Sequence, residues 1–342
     1  MTEIAMSEDI VRLLEIFYAG LTVLRSKVYK QEEKPAFKKY PSYWHMRLFG
    51  SSDTWDSNNY YLAARPNPGA GIGHQMANWI AGYYYAKVFG IKFAALPFPS
   101  SHVPYSVGSW DEFLGFNESE VPVKQLVSQG YTRVRLPLFH ENDAERDVIR
   151  KIMSSYSGKR IVFLFEQDQP YQEQYGVMTD LRKKFYSAKA RKSERLSFDS
   201  SNYNIAVHVR RGDIVQAPGK NNENLTLRWL DTDYYVNALA NTVKYIATDR
   251  PIHIYLFSQG KREDFPEFLT FPNIHYCLDM PDKESFAHMC FADALITSRS
   301  SFSYKPALLN RGLKICPADF WHGYPETSDW ILTQRDGSFI KK

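Results

Sequence analysis

Residues 204–213 read Asn-Ile-Ala-Val-His-Val-Arg-Arg-Gly-Asp. The apolar run Ile205-Ala206-Val207-His208-Val209 predicts a strand over 204–209. It leads straight into Arg210-Arg211-Gly212-Asp213. In open α/β sheets, ligands bind beyond the carboxyl ends of the strands. The guanidinium fork matches phosphate oxygens in pairs, so a diphosphate is the natural partner of this turn. Neighbouring side chains on extended backbone point opposite ways. One arginine is therefore expected to meet the ligand and the other to pair internally, with Asp213 as the nearest acid. A plain structural ion pair is the competing reading. Arg211-Gly212-Asp213 also spells an adhesion tripeptide, but its position at a strand end argues against that role.

The pattern around this strand is regular. Strands are predicted over 252–257, 274–278, 294–298 and 313–316, with helices over 233–247, 283–291 and 302–310. Alternation of this kind indicates βαβ units and a parallel sheet. The first half is less regular. It gives strands over 60–65, 92–96, 132–136 and 161–165, and helices over 75–89, 143–154 and 178–185. Residues 30–60 read mostly as loop, and the polar, basic stretch 187–203 reads as a linker. The expected organisation is an N-terminal helix and irregular aromatic segment (1–68), a first α/β domain (69–190) and a second, more regular α/β domain (191–342).

Two further segments carry chemistry. Arg299-Ser300-Ser301-Phe302-Ser303 follows a predicted strand and opens a helix. Serines there cap orphan amides, and the helix start also offers N–H groups and a dipole to an anion. Gly69-Ala70-Gly71-Ile72-Gly73-His74-Gln75 precedes another helix. Its G-x-G-x-G spacing differs from the dinucleotide fingerprint, and no Asp or Glu occurs between Gly73 and Asp111 to hold a ribose. Such a turn lets a ligand approach Gly71 and Gly73 closely, with His74 and Gln75 at the helix start; a plain tight turn is the alternative. Asp231-Thr232-Asp233 looks like a metal-binding DxD, but Asp233 is expected to cap the helix that follows. Glu284 opens a helix and could accept two N–H donors from a guanine edge; as a first-turn acid it also suits the helix dipole.

Composition excludes several classes. The 342 residues carry 42 basic and 38 acidic side chains, a net charge of +4. That excess is too small for a nucleic-acid binder unless clustered. At 44% hydrophobic and 23% charged residues the chain is globular rather than disordered. Three cysteines without paired spacing argue against a disulfide framework and for a reducing, cytoplasmic setting. The sequons at Asn117 and Asn224 are then chance matches. Residues 10–24 have helical apolar spacing followed by Arg25, Lys27 and Lys30. They read either as a helix docked on the fold or as an interfacial helix giving peripheral membrane contact through residues 10–30. No HExxH, GxSxG or P-loop occurs.

These segments, in this order, resemble the fucosyltransferase superfamily that carries the HxRRxD motif, with closest likeness to the α-1,2-fucosyltransferases. His208-Val209-Arg210-Arg211-Gly212-Asp213 matches that motif. Gly71-Ile72-Gly73-His74-Gln75 looks like the family's GGLGNQ turn. Ser298 to Tyr304 looks like its late serine segment, and Ile254 to Ser258 like its strand ending in Phe-Ser. The usual Asn of the glycine turn is His74 here, and the tryptophans after the serines are Tyr304 and Lys305. The resemblance implies a GT-B fold: two Rossmann-like α/β domains facing a cleft. It implies GDP-fucose as donor, inversion at the anomeric carbon, an oligosaccharide or polysaccharide acceptor, and no cofactor or required metal. By that likeness Arg210, Ser300 and Ser301 would hold the diphosphate, while His208 and Glu284 would read the guanosine. Asp213 and His74 are the candidate general bases. A GT-B enzyme with another donor or linkage, and a glycan-binding module without catalysis, are the rival readings.

Overall fold

The computed structural model describes residues 37–52, 57–66, 70–99, 109–140, 142–166, 176–214, 227–321 and 323–340. The apolar stretch 10–24, Gly69 and Asn224 lie outside them, as does the side chain of Asp213. The chain forms two compact units that interleave in sequence. One gathers the described parts of 1–65, 81–96 and 121–167; the other gathers those of 66–80, 97–120 and 168–342.

The first unit is built on five parallel strands: β1 (Tyr60–Ala64), β2 (Lys92–Ala95), β3 (Val121–Pro122), β4 (Thr132–Arg135) and β5 (Ile161–Phe165), in the order β3-β2-β1-β5-β4. Its aromatic surplus fills the core. Tyr85 packs on Phe139 and Phe165 with ring centroids 5.0 and 5.4 Å apart. The stretch read as loop contains helix α1 (Pro41–Phe49). Pro41 presets the first-turn dihedral, and Gly50, at φ 77°, ends the helix. The large apolar residues Trp44, Leu48 and Phe49 of α1 are exposed, and His45 anchors the helix: its ring stacks on Tyr156 at 3.9 Å and its Nδ1 lies 3.0 Å from Ser155 Oγ. Burial pulls the His45 pKa down to about 4, so the ring is neutral. Helices α2 (Ile72–Val88), α4 (Val123–Ser128) and α5 (Asp143–Ser154) complete the helical inventory here, α2 from Ala81 onward; α5 matches its predicted limits and is capped by Asn142.

The second unit carries six strands: β6 (Tyr203–His208), β7 (Ile252–Ser258), β8 (Ile274–Leu278), β9 (Ala294–Ile296), β10 (Leu313–Pro317) and β11 (Trp330–Thr333). They lie in the order β8-β7-β6-β9-β10-β11, all parallel. Its helices are α3 (Trp110–Leu114), α6 (Met178–Ser187), α7 (Thr232–Tyr245), α8 (Asp282–Phe291) and α9 (Ser301–Leu309). The core joins Ile205, Val207, Ile254, Leu256 and Ile296 to Tyr234, Tyr235 and Leu239 of α7. The central strands are buried along nearly their whole length, which explains their unbroken apolar sequence. Two Rossmann-like α/β units are therefore present, as the fold reading expects.

Two local expectations change, and the reading of the Asn117 sequon as a chance match is kept. Residues 187–203 are no free linker: a 3-10 turn (Lys189–Ser193) docks through Arg191, whose guanidinium lies 4.5 and 4.2 Å from the rings of Phe113 and Phe185 and pairs with Glu194 at 2.8 Å. Aromatic faces accept a basic side chain that composition alone assigns to solvent. Asp233 is not the cap of α7. Asp231 occupies that position and caps with no side-chain bond, because its Oδ1 accepts the Trp229 indole N–H at 2.8 Å. Asn117 is held internally, donating to Asp111 at 2.6 Å and accepting from Trp79 at 2.7 Å.

Candidate nucleotide-diphosphate site

The order of the second sheet locates the site. Counted from β6, it runs 3-2-1-4-5-6 and reverses between β6 and β9. At such a switch point the chain leaves neighbouring strands in opposite directions, opening a crevice at their carboxyl ends. The residues beyond β6 are Val209, Arg210 and Arg211; those beyond β9 are Thr297 to Ser300. The arginine turn and the serine segment thus flank one opening.

The arginine turn is fixed from its backbone outward. Val209 N–H donates to Phe257 O at 2.9 Å, and Ser258 Oγ donates to Val209 O at 2.8 Å. Arg211 is the internal arginine. It donates to Arg210 O at 2.9 Å, Leu230 O at 3.2 Å and Thr232 Oγ1 at 3.1 Å, and stacks on Trp229 at 4.1 Å. Its partners are carbonyls, a hydroxyl and rings; no ion pair to Arg211 exists among the described residues. These groups satisfy N–H donors without cancelling charge. Tyr235 also faces it, with a phenol that burial pushes up to about 12. Arg210 is half-buried beside it. Gly212 has φ 73°, and a Cβ there would strike the Gln259 side-chain amide, so glycine is required.

His208 joins the two loops. It is buried, and its Nδ1 lies 2.8 Å from Ser298 Oγ. Burial, reinforced by Arg210, lowers its pKa to about 3, so the imidazole is neutral. Beyond β9, Ser298 N–H donates to Ser303 Oγ at 3.2 Å, and Ser300 caps α9 by accepting from Phe302 N–H at 3.2 Å. Ser300 is a cap, as the simpler reading of the serines has it, and the start of α9 lies at the crevice. Arg299 points away from that role. Its Nε donates to Asp319 Oδ1 at 3.0 Å and its Nη1 to Leu227 O at 3.1 Å.

The glycine turn arrives at the same place. A Cβ on Gly73 would sit 2.6 Å from Ser301 Cβ, so the start of α2 abuts the start of α9. Gln75 is fully buried there; its Nε2 donates to Ala70 O at 2.8 Å, and its Oε1 is buried with no hydrogen-bond partner among the described residues. His74 is half-buried, and Gly71 is exposed with open space beside it. Two helix starts, one of them carrying a buried acceptor, therefore converge within the second unit.

Glu284 stands apart from this group. It lies in the first turn of α8, half-buried, and its carboxylate helps raise the Cys277 thiol of β8 to about 11, after burial. It therefore marks the β8 side of the crevice, away from the serines. The structure brings His208, Arg210, Ser300, Ser301, Gly73 and Gln75 to the switch point and Glu284 to one flank. Trp229 and the Arg299–Asp319 pair were not foreseen; an isolated tryptophan and an acid 20 residues away carry no sequence signal. Gly212 could have been found, since a glycine directly after two arginines at a strand end suggests a positive φ.

No protein-family model matches the chain, and no curated protein matches it. Among solved structures it is similar to the fucosyltransferase NodZ from Bradyrhizobium, with 12% identity over 75% of this chain and 94% of that one and a TM-score of 0.38. It is also similar to the NodZ α-1,6-fucosyltransferase co-crystallised with GDP (12% identity, 75% and 93% covered, TM-score 0.39). POFUT1 in complex with GDP is a further similar structure, at 15% identity over 76% of this chain and 97% of that one, with a TM-score of 0.44.

Proposed function

We propose that the chain is an inverting glycosyltransferase that moves L-fucose from GDP-fucose to a hydroxyl of an acceptor glycan. One observation carries this reading. Two anion-binding segments, found independently in sequence, flank the switch point of a 3-2-1-4-5-6 sheet, and the arginine buried there makes no ion pair among the described residues. Such a crevice suits a nucleoside diphosphate.

The roles follow from position. Arg210 takes the β-phosphate, and the Ser300–Ser301 start of α9 adds its hydroxyls and dipole. Gly71 and Gly73 let the backbone approach, and Gln75 Oε1 accepts a ligand hydroxyl or N–H. His208, neutral, keeps Ser298 in place with Nδ1 and presents Nε2 to the nucleoside, while Glu284 accepts from the guanine edge. In the transfer, the acceptor oxygen attacks the anomeric carbon, and the carbon–phosphate-oxygen bond breaks with its electrons leaving on GDP. The acceptor proton passes to a general base, Asp213 or His74. Arg210 and the helix dipole stabilise the charge that grows on the departing diphosphate. The linkage we propose is α-1,2 to a galactoside. The carboxylate at Glu284 favours α-1,6 as a second reading, because α-1,6 enzymes of the resembled superfamily carry one there.

Calorimetric titration with GDP, UDP and ADP, without added metal, tests the reading. Selective GDP binding is expected. Equal affinity for all three would remove the guanosine assignment, and binding of none would remove the diphosphate site. NMR of the product formed from GDP-fucose and a galactoside then separates the two linkages.

A further inference from the structure

Two tryptophans beside the crevice have no role in the reading above. Trp229 and Trp321 are 38% and 42% exposed. Each is held in place. The Trp229 indole N–H is bound to Asp231 at 2.8 Å and one ring face carries the Arg211 guanidinium at 4.1 Å. Trp321 packs on Phe320 with centroids 4.4 Å apart. The two lie on one flank. Leu227 O accepts from Arg299 beyond β9, Arg228 reaches within 5.8 Å of the Trp321 ring, and Trp321 follows the carboxyl end of β10.

That flank has a direction. Glu284 lies on the β8 side of the switch point, and the tryptophans lie on the β9–β10 side. A nucleotide sugar laid across the crevice with its base at Glu284 and its diphosphate at Arg210 carries its sugar toward β10. A pyranose ring has an apolar C–H face and a polar rim, which fits a fixed indole bordered by arginine side chains. We propose that Trp229 and Trp321 form the platform on which the sugar of the donor lies, so that they select for the glycosyl group rather than for the nucleotide. This rests on the diphosphate reading of the switch point.

The experiment compares dissociation constants of GDP and GDP-fucose for the unaltered chain, Trp321→Ala, Trp229→Ala and Trp229→Phe. Thermal melts confirm that each variant folds. Loss of the Trp321 ring is expected to weaken GDP-fucose by about three- to tenfold while GDP stays within twofold; Trp229→Ala weakens both ligands, because its indole also carries Arg211, and Trp229→Phe keeps most of the affinity. Unchanged GDP-fucose affinity in both alanine variants overturns the proposal and leaves the diphosphate site standing. A rise in acceptor KM alone also overturns it, since the platform would then belong to the acceptor. Absence of GDP binding to the unaltered chain overturns the site and the platform together.

Discussion

Each unit has a switch point in its sheet, and arginines stand at both, but they are handled differently. In the first unit Arg65, just past β1, and Arg135, the last residue of β4, share one acid. Glu166, past β5, receives Arg65 Nη1 at 2.9 Å and Arg135 Nε at 2.6 Å. In the second unit Arg211 is held by two carbonyls, a hydroxyl and an indole face. Both arrangements satisfy guanidinium donors; only the first spends a negative charge on them. A sheet whose strand order reverses thus ends in a partly neutralised cluster in one unit and, in the other, in an arginine, Arg211, without a carboxylate partner among the described residues. The difference shows why sheet order alone does not designate a ligand site and why the kind of partner matters.

The strongest way to break this comparison is Arg210→Ala. If the positive end is built for a leaving diphosphate, transfer should fall by about 10²–10³-fold or more with the melting temperature unchanged. Near-normal turnover in a folded variant would erase the distinction. Next comes Arg211→Lys. An ammonium keeps the charge but cannot span Leu230 O, Thr232 and the indole together. A loss of about 2 kcal/mol in stability is expected, read from urea melts, together with weaker GDP binding. An unperturbed melt would mean that the carbonyl cage is dispensable.

The histidines sharpen the comparison by pH. His45 and His208 are both held neutral by burial, with pKa values near 4 and near 3. The unfolded chain takes up their protons near pH 6.5, so the native state loses stability as pH falls below that value, and neither contributes a slope above it. Melting temperatures should be flat with respect to these groups from pH 7 to 8 and fall steadily toward pH 4. His208→Gln should flatten that fall and His45→Gln should flatten it less. A melt independent of pH down to 4 would contradict both assignments. The smallest effect belongs to Glu166→Gln. Arg65 and Arg135 are 57% and 51% exposed, so solvent screens the pair and the cost should stay under about 1 kcal/mol, with GDP affinity unaltered. A clear change in GDP affinity would mean that the first cluster serves the nucleotide after all.

Much of the second unit was legible because its central strands are buried on both sides and so read as unbroken apolar runs; the half-buried β8 also matches its predicted limits. The edge strand β11, four residues among polar neighbours, gave no such signal, and α1 was hidden because a histidine, not a leucine stripe, attaches it. The glycine turn and the serine segment could be read as local motifs. Their convergence could not, because Gly73 and Ser301 are distant in sequence and meet only through sheet order. That one of the two arginines is held internally was expected, but its partner was sought among acids. Sequence patterns reveal charges more readily than carbonyls, and Arg211 is held by carbonyls.

Cys277 offers an unplanned use of the geometry at β8. Its thiol, pushed up to about 11 by burial and by the Glu284 carboxylate, is ionised in only about one molecule in 10⁴ at pH 7. Cys290 and Cys316 are fully buried. Slow alkylation by a small reagent should therefore fall on Cys277 first, at a rate set partly by the charge at position 284. The chain carries its own chemical clock beside the proposed base pocket, and occupancy there can be timed at a native residue without introducing a new reactive site.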